Sequence, residues 1–301
     1  MASVDAPVRY THEFSRRLVD IDDGAIEVWV GGDGPVTFLT GHPFLSANGA
    51  YPGAGLSDCL AAVGTTVFVT PRGCGGSFAE PRRDKLGMDT YVDDLEQVRQ
   101  ALGVEKVVPS GYSCGGMTTL MYAIRYPDAL AGVVPVCTAA SYHYAIQPTS
   151  LYSSTSAAFQ RLEAVRREHG PGPEYDRAMV DESVHNKAVI DKILAGQHKA
   201  PLHNAVVVEE VLVGKWNYEP ELATIGAPTL VVVSRHDAQA GSMIWSHKIL
   251  VGIEDSELAV MNHSGHHPFE EEPEEFQRVV REFVNRRVVG ADTPTRAPAA
   301  R

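Results

Sequence analysis

A chain of 301 residues, 44% of them hydrophobic, carries enough apolar side chains to bury a large core, and a single α/β domain of this size is ordinary. Its 26 basic and 38 acidic residues leave a net charge of -12, which argues against nucleic-acid partners, because those are held mainly by Lys and Arg set against phosphates. No charged segment followed by a long apolar core opens the chain and no run of about 18 apolar residues occurs anywhere, so the expectation is a cytoplasmic protein with no membrane partner.

Taken in chain order, residues 17 to 31 read as two early strands around the turn at Asp22-Asp23-Gly24, the second centred on Ala25 to Val30. Val36 to Gly41 reads as a strand leading into His42-Pro43-Phe44. Thr65 to Val69 reads as another, ending before Arg72-Gly73-Cys74-Gly75-Gly76-Ser77. Asp89 to Gln100 places Val92, Leu95 and Val98 on one helical face. From there, apolar runs alternate with helix-period stretches, the pattern of a parallel sheet with crossover helices. The four cysteines Cys59, Cys74, Cys114 and Cys137 show no C-x-x-C spacing and are expected to be free thiols.

The run Val107 to Gly116 sets a serine between two glycines directly after a strand-like stretch. Such a G-x-S-x-G sequence lets the chain turn sharply from strand into helix, holding Ser113 in a strained conformation that only small neighbours such as Gly111 and Gly115 tolerate. The helix that follows aims its unpaired N–H groups at whatever the serine attacks. Further on, Pro228 to Val233 reads as a buried parallel strand ending in Ser234-Arg235-His236-Asp237. Leu258 to Met261 leads into Asn262-His263-Ser264-Gly265-His266-His267-Pro268-Phe269. Pro273 opens a closing helix with Phe276, Val279, Val280 and Phe283 on one face. Residues 291–301 have no periodicity and read as a disordered tail.

The chain order Ser113, Asp237, His266, each on the loop after a core strand, resembles the α/β-hydrolase superfamily over nearly the whole length, nearest the proline-iminopeptidase-like and small-esterase branches. The resemblance implies an α/β-hydrolase fold: a mostly parallel central sheet flanked by helices, with a helical cap inserted after the sixth strand. The core would be 1–141 and 227–290, and the cap 142–226, where Ala157 to Arg167 and Asp181 to Leu194 look helical. It also implies an oxyanion hole. With Pro43 lacking an N–H and His42 in the family histidine's place, the donors fall on the backbone N–H groups of Phe44 and Cys114. His42, Tyr112, Tyr142 and Trp216 are the candidate substrate contacts, within a wider aromatic set that includes His143, Tyr144, Tyr152, Phe159 and Tyr218. The departures are specific. The iminopeptidase pattern has H-G-G-P-G at the oxyanion loop and G-G-S-W-G at the elbow, and neither is present.

The implied chemistry is acyl transfer through a Ser-His-Asp triad with no cofactor and no metal. The histidines His236, His263 and His267 lack ligand spacing, and Cys114 begins the helix instead of occupying the strained position. A serine at the elbow excludes branches that need an aspartate there. The expected reaction is hydrolysis of an ester, thioester or lactone of a small to medium, partly apolar molecule. Alternatives are a proline-iminopeptidase-like aminopeptidase, for which Glu163, Glu209 or Glu210 would supply cap carboxylates, an acyltransferase or cyclase, and a ligand-binding protein on a hydrolase scaffold. Oligomeric state is left open by the sequence.

Overall fold

The computed structural model describes residues 12–43, 45–46, 54–78, 82–196, 198–199, 206–214, 216–239 and 243–291. Two strands, β1 (Phe14–Ile21) and β2 (Gly24–Gly31), form an antiparallel hairpin whose register pairs Leu18 with Glu27 and Ile21 with Gly24. The chain then alternates: β3 (Thr37–Gly41), α1 (Ala54–Ala61), β4 (Thr65–Val69), α2 (Met88–Ala101), β5 (Val108–Tyr112), α3 (Cys114–Arg125) and β6 (Val134–Val136). After a long excursion holding α4 (Ala157–His169), α5 (Pro173–Ser183) and α6 (Ile190–Gly196), it closes with β7 (Thr229–Ser234), α7 (Met243–Gly252), β8 (Ser256–Met261) and α8 (Pro273–Phe283).

The eight strands lie in the order β1-β2-β4-β3-β5-β6-β7-β8. Only the β1/β2 and β2/β4 pairs are antiparallel, and the other neighbours are parallel. Because side chains alternate across a strand, Phe38, Leu230 and Val232 face one layer with Leu56, Leu60, Phe276, Val280 and Phe283 of α1 and α8. Leu39 and Val231 face the other, with Val92, Leu95, Leu120 and Ile249 of α2, α3 and α7. Central strands covered on both faces are apolar throughout, as in β7, where every residue is buried. Parallel order matters for the site, since loops at the carboxyl ends of such strands converge on one rim.

The segment Arg72 to Ser77 ties the first hairpin to this sheet. Glu27, buried in β2, accepts hydrogen bonds from Trp29 Nε1 at 3.0 Å and from the Gly76 N–H at 2.9 Å, while its own N–H donates to Ser77 Oγ at 2.8 Å. Arg72 grips the buried Asp94 of α2 with two nitrogens, at 2.8 and 2.6 Å, and Asp23 of the hairpin turn with a third, at 2.9 Å. Among the described residues, no disulfide links the four buried cysteines, and no helix is long and apolar enough to cross a membrane.

The excursion between β6 and β7 leaves and returns at one crossing. The Tyr142 N–H donates to Trp216 O at 3.1 Å and the Tyr218 N–H to Ala140 O at 2.8 Å. Within the excursion the pattern from Asp181 to Leu194, read above as one helix, is broken. α5 ends at Ser183, residues 184–186 are extended or irregular, and α6 starts at Ile190. The physical reason is that the backbone here bonds outward instead of along the helix: Ser183 O accepts the His266 N–H at 2.7 Å, and the N–H groups of His185 and Asn186 donate to Glu271 Oε2 at 2.7 and 2.8 Å. Ala291 closes a short 3-10 turn, and the rest of the tail, 292–301, lies outside the described residues.

Candidate active site

Ser113 sits between β5 and α3 at φ 54°, ψ -126°, a left-handed-side conformation rare for a residue with a Cβ. Its neighbours explain how the turn is held. A Cβ on Gly111 would lie 2.3 Å from Gly115 O, and one on Gly115 would lie 2.5 Å from Gly41 O. The Ser113 N–H donates to Val136 O at 3.1 Å, and its carbonyl accepts from Thr138 Oγ1 at 2.7 Å and from the Met117 N–H at 3.1 Å. Strain of this kind costs of order 1–3 kcal/mol, and these bonds from β6 and α3 offset it.

Asp237 follows β7 and His266 follows β8, and both side chains are buried. His266 Nδ1 lies 2.9 Å from Asp237 Oδ2, and the second carboxylate oxygen, Oδ1, accepts the Gln239 N–H at 2.7 Å. The histidine loop is clamped by the excursion. A Cβ on Gly265 would fall 2.2 Å from Ser183 O, the carbonyl that accepts the His266 N–H. Glu271 Oε1 takes the Gly265 N–H at 2.9 Å while Oε2 holds His185 and Asn186, so one carboxylate joins histidine loop to excursion. Burial raises the Glu271 carboxyl above the usual glutamate range, opposed by these N–H bonds. A Glu271→Gln substitution turns an amide NH2 toward N–H donors whichever way it lies. It is expected to cost about 2 kcal/mol of stability, read from urea unfolding at pH 7.

Ser113, His266 and the residue after the serine, Cys114, share a cavity of about 440 Å³. His42 and Tyr112 line it too, whereas Tyr142 and Trp216 do not. Tyr142 packs on His143 with centroids 4.2 Å apart, and Trp216 packs on Tyr144 and Tyr218 while donating from Nε1 to Val211 O at 3.0 Å. Phe44, the other oxyanion-donor candidate, lies outside the described residues. The excursion supplies an apolar wall that includes Leu151, Phe159, Leu162 and Val211, with Glu163, Arg166 and Asp176 also facing the space. Of the other cap carboxylates considered, Glu210 instead accepts the Met88 N–H at the start of α2, at 2.9 Å.

Burial sets the protonation of what surrounds the serine. The Cys114 thiol is pushed up to about 12 and stays protonated. His42 is pulled down to about 3 by burial and then by the nearby His266, and His267 is held well below the usual imidazole value for the same reasons. Both are neutral beside His266. Among the described residues, no three His, Cys, Asp or Glu side chains converge as metal ligands, and the ring of His236 stacks on His185 at 3.9 Å.

Several contributors had no place in the sequence reading. Gln239 reaches Asp237 by its N–H, a local Asx-type bond that an acid two residues upstream signals. Its side chain extends to Ser183 Oγ and accepts from the Tyr152 hydroxyl at 2.6 Å. Ser183 and Glu271 carry no local signal, because they act across long sequence separations, whereas Tyr152 belongs to the aromatic set read from the sequence.

Comparison with known proteins agrees with this architecture. The family described as alpha/beta hydrolase fold matches residues 47–273. A 2-hydroxy-6-oxo-6-phenylhexa-2,4-dienoate hydrolase of Comamonas testosteroni is 29% identical over 204 residues, 64% of this chain and 68% of that protein. A proline iminopeptidase of Saccharolobus solfataricus is 24% identical over 73% of this chain and 75% of its own length. Among solved structures, an alpha/beta fold family hydrolase from Bacillus anthracis str. Sterne superposes with a TM-score of 0.80 at 22% identity, covering 90% of this chain and 99% of that one. With most of its length matched by the family and its strand order, elbow and loops arranged as described, this chain belongs to the alpha/beta hydrolase fold family.

Proposed function

We propose that this hydrolase-family enzyme is a serine hydrolase acting through an acyl-enzyme on an ester, thioester or lactone of a small to medium, partly apolar molecule, without a cofactor. The observation that carries the reading is the strained Ser113 opening into the same cavity as a His266 whose Nδ1 is paired with Asp237 at 2.9 Å. A serine hydroxyl is a weak nucleophile at neutral pH. In this reading His266 takes its proton during attack on the carbonyl and returns it to the leaving group. Asp237 fixes the imidazole tautomer and stabilises its charged form. The Cys114 N–H at the start of α3 and the Phe44 N–H stabilise the oxyanion, each such donor contributing on the order of 3 kcal/mol to lowering the barrier. Water then releases the acyl group. The apolar wall from the excursion supports a partly apolar substrate.

A second reading, an aminopeptidase, is favoured by one observation: Glu163, a carboxylate suited to an amine, lines the cavity together with Asp176. Cleavage of aminoacyl-naphthylamides in preference to aryl esters would move the assignment to it. The arrangement common to both is tested by intact mass after treatment with a fluorophosphonate. Wild type is expected to gain one adduct, and Ser113→Ala and His266→Ala none. A folded wild type that stays unlabelled would remove the serine-nucleophile reading.

A further inference from the structure

Three tyrosines packed wholly or partly out of solvent use their hydroxyls. Tyr91 donates to Val69 O at 2.7 Å, Tyr122 to Glu96 Oε2 at 2.6 Å and Tyr152 to Gln239 Oε1 at 2.6 Å. Tyr144 differs. Its residue is 2% exposed, its ring is held edge-on against Tyr152 at 5.9 Å and at a 52° tilt against Trp216 at 6.3 Å, and its hydroxyl has no hydrogen-bond partner among the described residues. A phenol donor that faces a cavity is paired by water, and a bound molecule that displaces that water must offer an acceptor in its place or leave the donor unpaired, at a cost of order 1–3 kcal/mol.

The position of that phenol is specific. Tyr144 follows β6, two residues beyond the crossing where Tyr142 bonds to Trp216, so its backbone is fixed at the base of the excursion. It lines the cavity that also contains Ser113 and Cys114, the residue whose N–H starts α3. The surrounding wall is apolar, with Leu151 and Val211 also lining the space. Burial raises the phenol well above its ordinary value, so it remains a neutral donor across the working range.

We propose that the Tyr144 hydroxyl is a specificity-determining substrate contact, donating a hydrogen bond to a carbonyl, ether or hydroxyl oxygen carried by the acyl part of the substrate close to the bond that Ser113 attacks. This rests on the serine-hydrolase reading and narrows it from any partly apolar acyl group to one bearing an oxygen acceptor. A site built around a buried donor discriminates against analogues lacking the acceptor more strongly than an apolar wall discriminates by size.

The test compares p-nitrophenyl pentanoate with p-nitrophenyl 4-oxopentanoate and p-nitrophenyl 3-methoxypropanoate, which share a leaving group and similar length, in wild type and Tyr144→Phe. The phenylalanine keeps the ring packing, and fluorophosphonate labelling of both proteins is measured in parallel. With the phenol acting on substrate, Tyr144→Phe lowers kcat/KM by about tenfold on at least one oxygen-bearing ester while pentanoate stays within twofold. The intrinsic reactivity of each ester cancels in the ratio of variant to wild type. Equal slowing of all three esters assigns Tyr144 a packing role and overturns the proposal, as does a ratio unchanged on all three. If neither protein is labelled and none of the esters is cleaved, the serine-hydrolase reading fails, and this inference fails with it. Labelling of both with unchanged ratios removes the Tyr144 assignment alone.

Discussion

Asp237→Asn is expected to lower kcat about 10,000-fold with little change in stability, because it changes the tautomer of His266 instead of its position. The two carboxylate oxygens have different partners: Oδ1 accepts the Gln239 N–H at 2.7 Å, and Oδ2 lies 2.9 Å from His266 Nδ1. An asparagine keeps its carbonyl on Gln239, since an NH2 group there would face another donor. The NH2 is then directed at Nδ1, which can only accept, so the ring proton moves to Nε2. In the serine-hydrolase reading, an imidazole protonated on Nε2 cannot take the serine's proton. Shape and one hydrogen bond survive, so Tm should stay within a few degrees of wild type. The measurement is kcat on an aryl ester alongside the rate of fluorophosphonate labelling, and both should fall together. Activity within tenfold of wild type would mean that Asp237 does not orient the base.

What made this arrangement legible in the sequence was locality. Gly111, Ser113 and Gly115 lie within five residues, and the steric demands they answer, from Gly115 O and Gly41 O, follow from the turn itself. Asp237 and His266 each follow an apolar, strand-like run: β7, buried throughout, and β8, the half-exposed edge strand. Strands and helices of the core are legible for the same reason, as in β4 and in the buried face of α8. The excursion was not legible in the same way. From Asp181 to Leu194 the side chains favour a helix, and the break at 184–189 comes from His266 and Glu271, about 80 residues away, capturing the backbone groups that a continuous helix would use. Which aromatic residues reach the cavity was equally hidden. Tyr142 and Tyr144 are two residues apart in one turn, and only the crossing at Trp216 and Tyr218 decides that Tyr144 faces the cavity while Tyr142 packs on His143.

Acidification should destabilise this protein through the two neutral histidines beside His266. His42 is pulled down to about 3 and His267 well below the usual value, in each case first by burial. In the unfolded chain both titrate near 6.5. Between those limits the unfolded state binds protons that the folded state refuses, so the free energy of unfolding falls as pH falls. This stability is fully present above about pH 6.5, and below it His42 removes about 1.4 kcal/mol per pH unit, with His267 acting in the same direction. From pH 8 to pH 5 His42 alone removes about 2 kcal/mol, against total stabilities of about 5–15 kcal/mol for domains in general. The buried carboxyls of Asp94, Glu210 and Glu271 are raised and act with the opposite sign, taking protons in the folded state first. That opposing contribution cancels when wild type is compared with His42→Gln, which cannot titrate at this position. The variant's loss between pH 8 and pH 5, measured by urea unfolding, should be about 2 kcal/mol smaller than wild type's. Identical losses would mean that His42 takes up a proton inside the fold. In the serine-hydrolase reading the same burial would serve catalysis: with His42 and His267 uncharged, an imidazolium forming on His266 would meet the neutral His267 ring at 5.4 Å and the Asp237 carboxylate instead of a second cation.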